Sequence, residues 1–93
     1  MVVGTVRIKL YTPWVHSLKE KRMVVKSLCA KVRNKFNVSI AEIAQQDMHQ
    51  ITILGIACVT EDAAHADSIC DHVIQFIEGS TEGEMIEIER ELI

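Results

Sequence analysis

The chain is poor in the residues that mark specialised architectures. Its 93 residues include one proline, four glycines and four aromatics. That composition excludes collagen-like and low-complexity chains. It also leaves too few rings for a sheet that stacks RNA bases. No apolar run approaches the roughly 20 residues needed to span a bilayer. The chain opens on a strand-like run, not on a charged segment followed by an apolar stretch, so no signal peptide is expected. A cytoplasmic protein with no membrane partner is the expectation. The three cysteines, Cys29, Cys58 and Cys70, are odd in number and match no metal-ligand spacing. They read as small buried thiols in a reducing compartment.

Signatures of catalysis are missing too. No glycine-rich loop follows a strand in the pattern that cradles phosphates, and no Ser, Thr or Cys sits in a nucleophile motif. Of the four histidines, His16, His49, His65 and His72, the last two fall on one predicted helix. Seven residues apart, they are about 10.5 Å apart along its axis, too far to share a metal. No enzyme activity, metal or cofactor is expected. Gln46 and Asp47 are read as loop geometry; a deep pocket joining them to His49 and Trp14 would change that reading.

What the chain does have is segregated charge. Residues 1–35 carry nine Lys/Arg and one acid, Glu20, a surplus of +8. Residues 36–93 carry one Arg, Arg90, and twelve acids, a surplus of −11. The modest net charge of −3 hides this polarity.

Periodicity gives six elements in one domain, residues 1–93. Val2–Tyr11 alternates, with Val6, Ile8 and Leu10 on one face and Thr5, Arg7, Lys9 and Tyr11 on the other. Pro13 interrupts the pattern. Ser17-Leu18-Lys19-Glu20 is a capping box, so a helix begins near Leu18 and runs to Asn34 or Lys35. Leu18, Val25, Leu28, Cys29 and Val32 form its apolar stripe. Phe36–Ile43 reads as a strand, and Ile51–Val59 as a strand covered on both faces. Thr60, as a hydroxyl cap before Glu61 and Asp62, opens a second helix that Gly79 should stop. Met85–Ile93 alternates Ile86, Ile88 and Leu92 with Glu87, Glu89 and Glu91. The order is that of an α+β, ferredoxin-like β-α-β-β-α-β sandwich: a four-stranded antiparallel sheet, order 4-1-3-2, with two helices on one face.

The charges can then be placed. On a wheel of about 100° per residue, Lys19, Arg22, Lys26 and Arg33 lie within roughly 60° of one another. Such a stripe suits phosphates or an acidic protein surface; a solvated face kept charged for solubility is the plainer alternative. Lys19, Lys21 and Arg22 sit near the positive end of the helix dipole, where cations are mildly unfavourable. Lys21 projects toward the apolar side. It either snorkels past the core edge, pairs with a carboxylate of a neighbouring element, or joins Trp14 as a partner contact; Trp14 itself reads as half-buried packing over the helix start or as that exposed contact. Arg7 and Lys9 should be paired by the glutamates of the last strand.

The segments Ser17-Leu18-Lys19-Glu20-Lys21-Arg22, Phe36-Asn37-Val38-Ser39, Ala41-Glu42, Gln46-Asp47 and Leu54-Gly55-Ile56-Ala57 resemble the bacterial YlxP family, a domain of unknown function. The resemblance runs over nearly the whole chain and implies a ferredoxin-like fold. It supplies no catalytic residues. Relatives are often encoded beside genes of translation and ribosome maturation, which is association and not mechanism. The expectation is a non-enzymatic binding module that meets RNA or a ribosomal particle through Lys19, Arg22, Lys26 and Arg33. The alternative is a protein-interaction or homodimeric module with no nucleic-acid role.

Overall fold

The computed structural model covers residues 1–93. Its elements are β1 (Val2–Tyr11), α1 (Leu18–Lys35), β2 (Ser39–Ala44), β3 (Ile51–Thr60), α2 (Ala63–Ser80) and β4 (Glu84–Leu92). The four strands form one sheet in the order β2-β3-β1-β4, and every neighbouring pair is antiparallel. This is the predicted ferredoxin-like arrangement.

Alternation in β1 decides which face is buried. Gly4, Val6, Ile8 and Leu10 are enclosed, while the residues between them are half-buried. In β3, Leu54, Ile56 and Cys58 stand opposite Ile8, Val6 and Gly4 and continue the same face. Leu28, Cys29 and Val32 of α1 and Ala66, Cys70, Val73 and Ile77 of α2 close over it as one core. α1 packs on β2, and α2 on β1, β3 and the margin of β4. The opposite sheet face has no helix layer. It carries Thr5, Arg7 and Lys9 of β1 beside Ala57, Gly55 and Ile53 of β3.

Local signals set the helix ends. Ser17 accepts a hydrogen bond from the Glu20 N–H at 3.1 Å, which satisfies one orphan donor of α1. The reciprocal bond from Glu20 to the Ser17 N–H is not formed, so half of the capping box is realised. Three expected boundaries are corrected. Phe36 closes α1, its N–H donating to the Val32 carbonyl, and its ring meets Phe76 edge-on at 5.7 Å. Burying that ring against α2 wins over strand propensity, so β2 starts at Ser39. The cap of α2 is Asp62, which accepts from the His65 N–H; the Thr60 hydroxyl instead donates to the Asp62 carbonyl. The second helix passes through Gly79 to Ser80, because no backbone turn there calls for glycine.

Gly4 does have a steric role. A Cβ at this position would stand 3.1 Å from both Cys58 Sγ and Cys70 Sγ and 3.3 Å from Ala66 Cβ. The missing side chain lets α2 settle on β1. All three cysteines are buried and free. Burial raises the pKa of Cys29 and of Cys70, and the neighbouring Cys58 raises Cys70 further. A raised pKa means less thiolate at a given pH, and the thiolate is the nucleophile. The native protein should therefore react with iodoacetamide at pH 8 far more slowly than the urea-unfolded chain at Cys29 and Cys70. Mass spectrometry of alkylated peptides checks this; equal rates would mean that the thiols are open to solvent.

Candidate functional site

The exposed part of α1 is built by its phase. Leu28, Cys29, Val32 and Lys21 turn inward, which leaves Lys19, Arg22, Lys26, Lys31, Arg33 and Lys35 exposed. The intramolecular ion pairs are made by Arg7, Lys21 and Arg90. Lys19, Arg22 and Lys26 meet no carboxylate and make no side-chain hydrogen bond. Three of the four predicted stripe residues therefore stand as free cations along one flank.

The fourth, Arg33, is partly diverted. Its Nη2 donates to the Ile40 carbonyl oxygen at 2.9 Å. Ile40 lies on β2, an edge strand, so the guanidinium caps a backbone acceptor that would otherwise face outward. Lys31 and Lys35 lie on the other flank of α1. Lys35 Nζ sits 5.0 Å from the centre of the Phe76 ring, a cation–π distance. Lys31 lines a cleft of about 360 Å³ with Trp14, Met23, Val24 and Ser27 on one side and Ser80–Glu82 on the other. Trp14 is 37% exposed at this cleft. The cleft does not include Gln46, Asp47 or His49, and the pocket that would have joined them to Trp14 is not there.

Lys21 is corrected as a partner contact. It is 1% exposed, and its ammonium is fully used inside the chain. Nζ donates to the carbonyls of Gln45 at 2.9 Å and Met48 at 2.6 Å and lies 2.6 Å from Glu42 Oε2. That last contact is close but off the hydrogen-bonding direction, so Oε2 is held by charge alone. Two of its protons are therefore donated to carbonyls, and its charge is matched by the carboxylate. The arrangement ties α1 to the β2–β3 connection. It also holds Gln45 in a left-handed conformation, φ 54°, that non-glycine residues seldom adopt. The sequence offered pairing with a carboxylate from another element as one reading; it could not reveal the two carbonyls, since a loop's backbone direction leaves no mark in composition.

The open sheet face is the other large surface. A shallow depression of about 480 Å³ crosses it, bordered by Thr5, Arg7, Ile43, Gly55, Ala57 and Glu89. Ile43 is 53% exposed and folds over Gly55, where any Cβ would come within 2.8 Å of it. Arg7 faces Glu89 and Lys9 faces Glu87 across the β1–β4 ladder, but of the two expected pairings only that of Arg7 forms an ion pair. Arg7 Nη1 is 3.9 Å from Glu87 and 3.7 Å from Glu89, which largely neutralises this part of the face. No helix is long and apolar enough to cross a membrane.

Replacing Lys21 by Met should destabilise the protein by about 3–5 kcal/mol, because it leaves a buried carboxylate and two carbonyls without their cation. Urea unfolding measures the loss. Hydrogen exchange should show the first opening at residues 45–50. A change below about 1 kcal/mol would place the ammonium in solvent.

Comparison with known proteins agrees with this architecture. The sequence model of a family described as a protein of unknown function, DUF503, matches residues 3–90. A Bacillus subtilis (strain 168) protein named uncharacterized protein YlxP is 46% identical over 66 residues, 71% of this chain and 72% of that protein. The de novo designed ferredoxin-fold protein LFR1 1 superposes with a TM-score of 0.60 at 18% identity, covering 99% of this chain and 85% of its own. The designed protein Foldit4 gives 0.53 at 15% identity, covering 99% and 94%. These two likenesses show the fold alone.

Proposed function

The chain belongs to the DUF503 family of unknown function, and we propose that it is a non-enzymatic binding module that meets RNA through α1. One observation carries the reading. Lys19, Arg22 and Lys26 are exposed on one helix flank with no carboxylate of their own chain beside them, although the chain has thirteen acids. Phosphates recognise such a row by charge alone and without base specificity. Trp14 and Lys31 lie on the other flank of the helix and are not part of this row. The Arg7 ion pairs and a single aromatic, Tyr11, on the open sheet face speak against base stacking there.

Binding of this kind depends steeply on salt. Three phosphate contacts give a slope of log K against log salt of about −2 to −3. With purified ribosomal RNA, Arg22→Glu with Lys26→Glu should abolish most of the affinity and flatten the slope by about 1.5. Filter binding between about 50 and 200 mM salt reads both. No affinity at the low end, or an unchanged slope in the double variant, overturns the proposal.

A second reading, a homodimer, draws on the uncovered sheet face, where Ile43 and Val59 are 53% and 66% exposed. Sedimentation velocity over a range of concentrations distinguishes it. A stable dimer that Ile43→Asp dissociates would support this interface; a monomer at every concentration would remove it.

A further inference from the structure

We propose that the free edge of β4 accepts an added strand from a protein segment in which Lys or Arg alternates with aliphatic residues. The argument begins with the ladder. Val3 and Ile93 exchange both backbone hydrogen bonds, at 3.0 and 2.8 Å. In an antiparallel pair, such doubly bonded positions recur at every second residue. With the observed register, Glu91, Glu89 and Glu87 turn their N–H and C=O groups toward Thr5, Arg7 and Lys9. The backbone groups of Leu92, Arg90 and Ile88 therefore point away from the sheet. β4 is the terminal strand on that side, so these donors and acceptors have no strand to bond.

The two edges of the sheet are treated differently. β2 is six residues long, is interrupted by a register shift after Glu42, and has its Ile40 carbonyl taken by Arg33. Short, bulged and capped edges resist strand addition. β4 is nine residues long, its one register shift lies near its start, and the Ile88–Leu92 stretch is regular. Its outward backbone groups are capped by no side chain.

The side chains of β4 state what would fit. Glu87, Glu89 and Glu91 form an acidic row on the open face. Ile88 and Leu92, on the helix face, are each 43% exposed because α2 reaches only the strand's margin. Arg90 stands between them and is held by Asp67 and Asp71 of α2, so it does not neutralise the row. An incoming strand would place cations opposite the glutamates and aliphatics beside Ile88 and Leu92. β1 already shows this complement on the inner side: Val6-Arg7-Ile8-Lys9-Leu10 faces β4 with Arg7 and Lys9 against Glu89 and Glu87. A second copy of β4 is a poor occupant. Antiparallel pairing centred on Arg90 would set Glu89 against Glu91 of the other copy, and like charges directly opposite are destabilising.

The test uses the full chain and a fluorescein-labelled synthetic peptide of about ten residues that alternates Val or Ile with Lys or Arg, a length matched to β4. Anisotropy should show saturable binding, and a peptide with Glu in place of the cations should not bind. Amide resonances of Ile88, Arg90 and Leu92 should shift and exchange more slowly when the peptide is present. The combined substitution Glu87→Lys, Glu89→Lys and Glu91→Lys should weaken binding about tenfold or more. Ile88→Pro removes one outward N–H without touching the β1 ladder, so the fold persists and affinity should still fall. Binding that maps to another surface, survives both variants unchanged, or is absent at millimolar peptide overturns the proposal.

Discussion

The buried ammonium of Lys21 is the contact on which the arrangement of α1 depends. A lysine enclosed to this degree needs acceptors and a counter-charge; the Gln45 and Met48 carbonyls supply the first and Glu42 the second. All three lie within one seven-residue stretch, Glu42 near the end of β2 and Gln45 and Met48 in the connection to β3. Rolling α1 about its axis by even a third of a turn would pull the ammonium away from all of them at once. The apolar stripe of the helix sets its rotation loosely, since Leu, Val and Cys slide past one another at modest cost. The ion pair and its two carbonyls set it sharply. Which lysines and arginines look outward is thus decided by the one lysine that looks inward.

A second constraint is the single helix layer. Two helices cover one face of a four-stranded sheet, and their width is less than the sheet's. The central strands β1 and β3 are well enclosed, while β4 is left half-covered, so Ile88 and Leu92 keep nearly half their surface even though they point to the helix side. On the far side, Ile53 is fully buried without a helix above it. Its neighbours in the ladder are Lys9 and Ala44, and the methylene stem of a lysine can cover an aliphatic side chain while its charge stays in water. The sheet face is therefore neither a second core nor a plain solvated surface. It is mixed, with charge on β1 and β4 and small or aliphatic residues on β2 and β3.

Much of the fold was legible because period and punctuation agree. The alternation of β1, the Ser17 cap and the heptad-like spacing of Ala66, Cys70, Val73 and Ile77 each point to one element and one buried face. Topology followed from element order. The errors fall where a local preference yields to a distant contact. Phe36-Asn37-Val38 has strand character, but Phe36 is claimed by Phe76, forty residues away in sequence. Gly79 suits a helix end, yet nothing at the end of α2 needs its freedom. The candidate site was legible as to which charges share a flank, because the helical wheel is purely local. It was not legible that Arg33 would reach the Ile40 carbonyl, or that Lys21 would be sealed beneath a loop; both depend on where β2 and its hairpin lie in space.

The charge segregation along the sequence becomes segregation in space through the strand order. α1 packs over β2, at one edge; the acids of β4 and α2 gather at the other. Between them lies β1, whose Arg7 pairs with Glu87 and Glu89 and whose Lys9 faces Glu87 in the ladder without an ion pair. Arg90, the one cation of the acidic half, is likewise answered, by Asp67 and Asp71. Arg7, Lys21 and Arg90 are paired with acids of the chain, and Lys19, Arg22 and Lys26 on the flank of α1 are not. Placing Lys19 and Arg22 near the positive end of a helix dipole costs stability and gains no internal partner to offset it. A sequence shaped by folding alone would relieve that cost with an acid one turn away, as the i,i+4 geometry of a helix readily permits. α1 has a single acid, Glu20, and it lies in the first turn, so Lys19, Arg22 and Lys26 stay unpaired within the chain.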